Sequence, residues 1–243
     1  MCHLYTILMD ISISHHEHSL EATSLIGKSQ APVVIFLCGG SLEVGKERFL
    51  DWQTKLQEVG VSSVAFNYSG VPGTKETISS SSLASRTSEV SFVIDWVKRE
   101  WGVTSVTLCG VSMGGHIALT VASQRGVDVA SLILLAPAAY TEAAEMVPFG
   151  DDFTAILQRK DSWVDSSSFD RLAKWSKPVL FFKLEQDEVI PIALTERYIS
   201  LCAKNSQAHV VHIDAPHQCW GSEQVSVQAR RLMIEAITDF IKS

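Results

Sequence analysis

LCGVSMGGHIAL, residues 108–119, changes character part-way along. It closes an apolar, β-branched run, sets Ser112 between Gly110 and Gly114, and resumes at once with helix-forming residues. That is the pattern of a tight strand-to-helix turn presenting a serine hydroxyl. A glycine-rich connection would look much the same, and with 14 glycines in 243 residues a Gly-x-Ser-x-Gly needs support from the rest of the chain.

The neighbourhood alternates. Residues 32–40 (PVVIFLCGG), 62–70, 103–110, 129–139, 177–191 and 208–217 read as strands, several of them continuous apolar runs of the sort buried on both faces of a sheet. Between them, 46–60, 78–102, 112–126, 192–205 and 222–243 carry helical spacing, with Gly60 and Gly102 as stops, serines before the second helix and Ser222 as caps. Residues 5–13 and 18–27 read as an opening pair of strands. This alternation predicts an α/β domain over 1–243, with a mostly parallel sheet and helices on both faces. Residues 140–176 separate two strands by more than a crossover needs. Their Phe149, Phe153, Trp163 and Phe169 argue for order, so the segment is expected to be a small helical lid inserted into the domain.

Composition narrows the function. A net charge of −7 without a basic run speaks against nucleic acid as partner. No apolar run reaches the ~20 residues of a membrane-spanning helix. The first residues lack a basic leader, and five scattered cysteines without a C-x-x-C fit a reducing, cytoplasmic setting. His15, His16, Glu17 and His18 read as a solvated turn rather than a metal site, and neither metal nor cofactor is expected.

In an open parallel sheet, ligands bind beyond the carboxyl ends of the strands. Ser112, Asp187, His217 and the pair Gly39–Gly40 each follow such an end. Serine, acid, histidine is the chain order of a nucleophile elbow and its partners. Glu185, Glu188 and Asp214 are competing acids, and His209 and His212 competing bases, although these two lie inside a strand. His116, one turn beyond Ser112, is expected to be structural or on the surface.

With GVSMGG (110–115), EQDEVIP (185–191) and APH (215–217) in place, the chain resembles the α/β-hydrolase superfamily of serine esterases, thioesterases and lipases over nearly its whole length. The loop NYSGVPG (67–73) is similar to the family's loop after its fourth strand. The likeness departs at 38–39, where Cys-Gly replaces the frequent His-Gly, and at Glu185, where glycine is common. It implies a nucleophile at Ser112, a general base at His217, an orienting acid at Asp187 and an oxyanion hole from the amides of Gly40 and Met113, with Ser41 the neighbour of Gly40 that competes for the role. The function expected is hydrolysis of a small-molecule carboxylic ester or thioester through an acyl-Ser112 intermediate. Met146, Phe149, Phe153 and Trp163 are candidates for the acyl pocket. A serine peptidase on the same fold and a non-catalytic binding module are the alternatives. Whether the chain works as monomer or homodimer is not legible in the sequence.

Overall fold

In the computed structural model, the described residues are 8–15, 18–28, 32–40, 45–71, 74, 77–217, 219 and 227–242. Eight strands form one sheet: β1 (Leu8–His15), β2 (His18–Leu25), β3 (Val33–Leu37), β4 (Ser63–Phe66), β5 (Val106–Val111), β6 (Val129–Leu135), β7 (Val179–Gln186) and β8 (Ala208–Pro216). Their order across the sheet is β1-β2-β4-β3-β5-β6-β7-β8. β1 and β2 pair antiparallel with each other, and β2 with β4; from β4 to β8 every pairing is parallel. The opening hairpin thus extends a parallel sheet at one edge, as the sequence predicts for an α/β domain.

β3 and β5 are buried at every position, which is why they read as unbroken apolar runs rather than as alternating ones. The helices are α1 (Leu50–Glu58), α2 (Leu83–Trp101), α3 (Met113–Gln124), α4 (Asp151–Leu157), α5 (Ser167–Lys174), α6 (Ile192–Cys202) and α7 (Val227–Lys242). α7 packs on α1, whereas α2, α3, α5 and α6 pack in succession, so two groups of helices cover the sheet. α2 starts at a capping box in which Ser82 accepts from the Ser85 amide and Ser85 accepts from the Ser82 amide. It stops at Gly102, whose φ of 66° lies in the left-handed region. The expected cap at Ser222 lies outside the described residues, as do His16, Glu17, Ser41 and residues 72–73.

One boundary differs in a way that bears on function. Residues 177–191 read as one strand, but β7 ends at Gln186. The Asp187 carboxylate accepts from the amides of Val189 and Ile190 at 2.9 and 2.8 Å and bends the chain there. A side chain that satisfies the next two amides competes with the sheet ladder, and here it wins. Between β6 and β7 the chain forms a 3-10 turn (Glu142–Ala144), then α4 and α5, so the long connection is helical.

Candidate active site

β5 delivers Ser112 to the centre of the sheet's carboxyl edge. Its backbone has φ 52° and ψ −115°, a conformation that side-chain-bearing residues rarely adopt and that costs of the order of 1–3 kcal/mol. Neighbours hold it there. The Ser112 amide donates to Leu135 O at 3.0 Å, and its carbonyl accepts from Gly115 and Ala138 amides, both at 2.9 Å. The flanking glycines allow the close approach. A Cβ on Gly114 would stand 2.3 Å from the Leu37 carbonyl oxygen, and one on Gly110 equally close to the Gly114 oxygen. The placing of the hydroxyl therefore depends on backbone from β3, β6 and α3 meeting around one bend.

His217 follows β8 and is 5% exposed. Its Nε2 lies 3.2 Å from Ser112 Oγ, and its Nδ1 lies 2.9 Å from Asp187 Oδ2. A carboxylate only accepts, so Nδ1 carries the proton and Nε2 is left to accept from the serine hydroxyl. Burial pushes the Asp187 carboxyl upward, but the bonds from His217 and from the Ile190 and Val189 amides outweigh it and hold the group below the usual carboxylate range. The competing acids fall elsewhere. Glu188 accepts from the His217 backbone amide at 3.2 Å, Glu185 pairs with His212, and Asp214 accepts from Gln186. His209 lies against Phe240.

The loop after β3 runs beside the serine. A Cβ on Gly39 would be 3.4 Å from Ser112 Cβ, and one on Gly40 would be 3.0 Å from Met113 Cε. Met113 opens α3, where unpaired amides and the helix dipole favour negative charge. Cys38 is buried and its thiol is pushed up to about 12 by desolvation, which makes it an inert apolar filler in the place where histidine is frequent. Cys219, two residues past His217, is likewise buried and pushed up to about 12. Among the described residues, no group of three His, Cys, Asp or Glu side chains could hold a metal ion.

A family model described as serine aminopeptidase, S33, matches residues 29–166, which include Ser112 and its glycines. The chain belongs to this family of α/β-hydrolases. This S33-type α/β-hydrolase is also similar to lysophosphatidylserine lipase ABHD12 of Danio rerio, with 24% identity over 230 residues and 89% of the chain covered. It spans only 59% of that relative's length. Among solved structures, the ferulic acid complex of Est1E from Butyrivibrio proteoclasticus matches with a TM-score of 0.73 and 19% identity, covering 96% of this chain and 98% of that one. The esterase EaEST from Exiguobacterium antarcticum matches with a TM-score of 0.71 and 20% identity, covering 97% and 100%. At these identities the two structures establish the α/β-hydrolase fold.

The four residues expected to line an acyl pocket do not form one wall. Phe149 and Phe153 are buried and stack edge-on at 4.8 Å, with Tyr140 beside Phe153. Trp163 packs instead on Phe169, which leans on Tyr198. Met146 is 76% exposed, beside an open cleft of about 560 Å³ between α2, α3 and α5 whose lining includes neither Ser112 nor His217. The carbonyl of the preceding Glu145 takes the Ala84 amide at the start of α2.

Two polar residues near the site have surroundings that the sequence does not spell out. His116 is fully buried, which fits the structural one of its two expected roles and not the surface one. Its Nε2 lies 3.0 Å from Glu145, and its Nδ1 lies 2.7 Å from Ser168 Oγ and 3.4 Å from the Tyr140 amide. The amide can only donate, so Nδ1 accepts and the proton sits on Nε2. This neutral ring ties α3 to both ends of the helical insertion. Arg86 on α2 is buried as well. The signal for it was faint: a lone arginine beside the apolar stripe Leu83, Val90, Ile94, Val97.

Proposed function

We propose that this α/β-hydrolase is a serine hydrolase that cleaves a carboxylic ester or thioester, with Ser112 as nucleophile, His217 as general base and Asp187 as its orienting acid. One observation carries the reading: an unbroken line from Ser112 Oγ to His217 Nε2 (3.2 Å) and from His217 Nδ1 to Asp187 Oδ2 (2.9 Å), on a serine held in a strained backbone. A serine hydroxyl is a weak nucleophile at neutral pH and needs such a base.

As Ser112 Oγ attacks the carbonyl carbon, its proton passes to His217 Nε2 and the carbonyl oxygen becomes an oxyanion. The amides of Gly40 and Met113 take up that charge; one such donor is worth about 10²–10³ in rate. Collapse expels the alcohol or thiol, which leaves with the proton from His217. Water, deprotonated by the same imidazole, then releases the acid and restores Ser112. Asp187, ionised well into acid, fixes the tautomer and stabilises the imidazolium. Residues 140–176 serve as a cap in this reading. Phe149 and Phe153 supply its apolar face on the serine side, and Met146 and Trp163 have no share in it.

Ester substrates are favoured by the relative named a lysophosphatidylserine lipase and by the esterase EaEST of the same fold. The family's aminopeptidase description keeps a peptidase as the second reading. A fluorophosphonate probe with mass spectrometry of the adduct tests the proposal. Labelling at Ser112, lost in Ser112→Ala, together with turnover of p-nitrophenyl esters or acyl thioesters, is the expected result. Turnover of aminoacyl p-nitroanilides alone turns the assignment to the peptidase. A folded protein that neither labels nor turns over any of these is a binding module.

A further inference from the structure

The chemistry above leaves one buried charge without a task. Arg86 is 1% exposed and lies between two aromatic rings, with its guanidinium carbon 4.7 Å from the centre of Tyr68 and 4.6 Å from that of Phe149. Nη1 faces the Gly39 carbonyl oxygen at 3.5 Å, the long end of a hydrogen bond, and the Met113 sulfur at 3.3 Å. Nε and Nη2 have no hydrogen-bond partner, and among the described residues no carboxylate accepts from this guanidinium. Glu89, Cys38 and Tyr140 are the titratable groups that share its surroundings along with Tyr68. A buried cation without a bonded anion is unfavourable for stability alone, so its position calls for another reason.

The partners of Nη1 supply that reason. No peptide bond among the described residues is cis, so the 39–40 peptide points its carbonyl one way and the Gly40 N–H the other. A cation at the carbonyl fixes the plane of this peptide and polarises it, making the opposite N–H a stronger donor. The second partner reaches the same peptide from its other end, because the methyl beyond the Met113 sulfur packs where a Gly40 side chain would begin. Arg86 therefore touches Met113 directly and the Gly40 amide through the carbonyl of the peptide that carries it.

We propose that Arg86 is a positioning residue for that hole, acting through the Gly39–Gly40 peptide and the Met113 thioether rather than on substrate. The inference rests on the serine hydrolase reading and sharpens it. It is tested with Arg86→Met, which keeps bulk between the rings, and Arg86→Lys, which keeps the charge without the planar fork. The readouts are kcat and KM for p-nitrophenyl butyrate, the fluorophosphonate labelling rate and the thermal midpoint. Arg86→Met should lower kcat and the labelling rate about 10- to 30-fold with KM unchanged, a fraction of the loss of a whole donor. Arg86→Lys should recover part of this and lie about 3- to 10-fold below the parent, and it decides the question alone if the Met variant does not fold. A kcat within twofold of the parent in folded Arg86→Met or in Arg86→Lys overturns the proposal. So does a loss confined to KM, or equal losses in both variants, because a purely structural role would not distinguish lysine from methionine. These outcomes leave the nucleophile assignment standing if the parent labels at Ser112; an unlabelled parent overturns both.

Discussion

Replacing Asp187 with asparagine changes one atom, and the site dictates which way the new amide turns. Oδ1 accepts from two backbone amides, at 2.9 and 2.8 Å, and an NH2 group cannot take that place without setting donor against donor. The asparagine oxygen therefore stays there, and its NH2 faces His217 Nδ1 across the 2.9 Å now spanned by the carboxylate. Two donors cannot share that gap, so the imidazole shifts its proton to Nε2 and presents an N–H to Ser112. The nucleophile then has no base. The loss in kcat should be about 10⁴-fold, equivalent to about 5.5 kcal/mol of transition-state stabilisation. The assay is ester hydrolysis at pH 7.5, with the fluorophosphonate labelling rate as a second measure and circular dichroism to establish folding. A folded Asp187→Asn enzyme keeping more than a tenth of the parental kcat refutes the tautomer argument. If Glu188→Gln were instead the inactivating change, Asp187 would be the wrong acid.

Gly114→Ala should be strongly destabilising, because its Cβ would meet backbone oxygens of Leu37 and Cys38 at 2.3 and 2.9 Å, which no rotamer relieves. A loss of about 3 kcal/mol or more in urea unfolding is expected, and a variant within 1 kcal/mol of the parent would refute the packing argument. His116 makes stability depend on pH. Burial lowers its affinity for a proton, Glu145 opposes this, and Arg171 adds to the lowering, so the folded value lies below the ordinary 6.5. The folded state then binds fewer protons than the unfolded chain. The stabilisation is complete above 6.5 and is lost as the pH falls from there through the folded value. Glu145 is itself held below 4.5 by His116 and Arg171 against the effect of burial, so its own contribution fades only in stronger acid. Urea midpoints at pH 7.5, 6 and 5 should fall more steeply in the parent than in His116→Gln; parallel slopes would contradict the assignment.

The strands were legible because both faces of β3 and β5 are covered, which leaves a mark in every residue. The placement of Ser112, Asp187 and His217 at strand ends was legible too, since the carboxyl edge of a parallel sheet can be located from the alternation alone. What escaped the sequence was direction. Val189 and Ile190 look like strand residues, yet they belong to a turn whose amides are held by one carboxylate. Met146 and Trp163 share a segment with Phe149 and Phe153, but Met146, Phe149 and Trp163 lie in turns between short helices, where no periodicity tells a buried side chain from an open one. Arg86 and His116 carry polar groups that normally face water, and only the contacts made by distant elements reveal that they are enclosed.

Ser112 is braced through its own carbonyl by the Ala138 amide, just before the helical insertion begins. The bend that strains the serine is thus completed by the chain on its way out of β6, and everything beyond Tyr140 hangs from a joint that is already fixed. A lineage of such proteins is free to lengthen or refill the connection beyond that joint, while the floor that holds the hydroxyl keeps its shape.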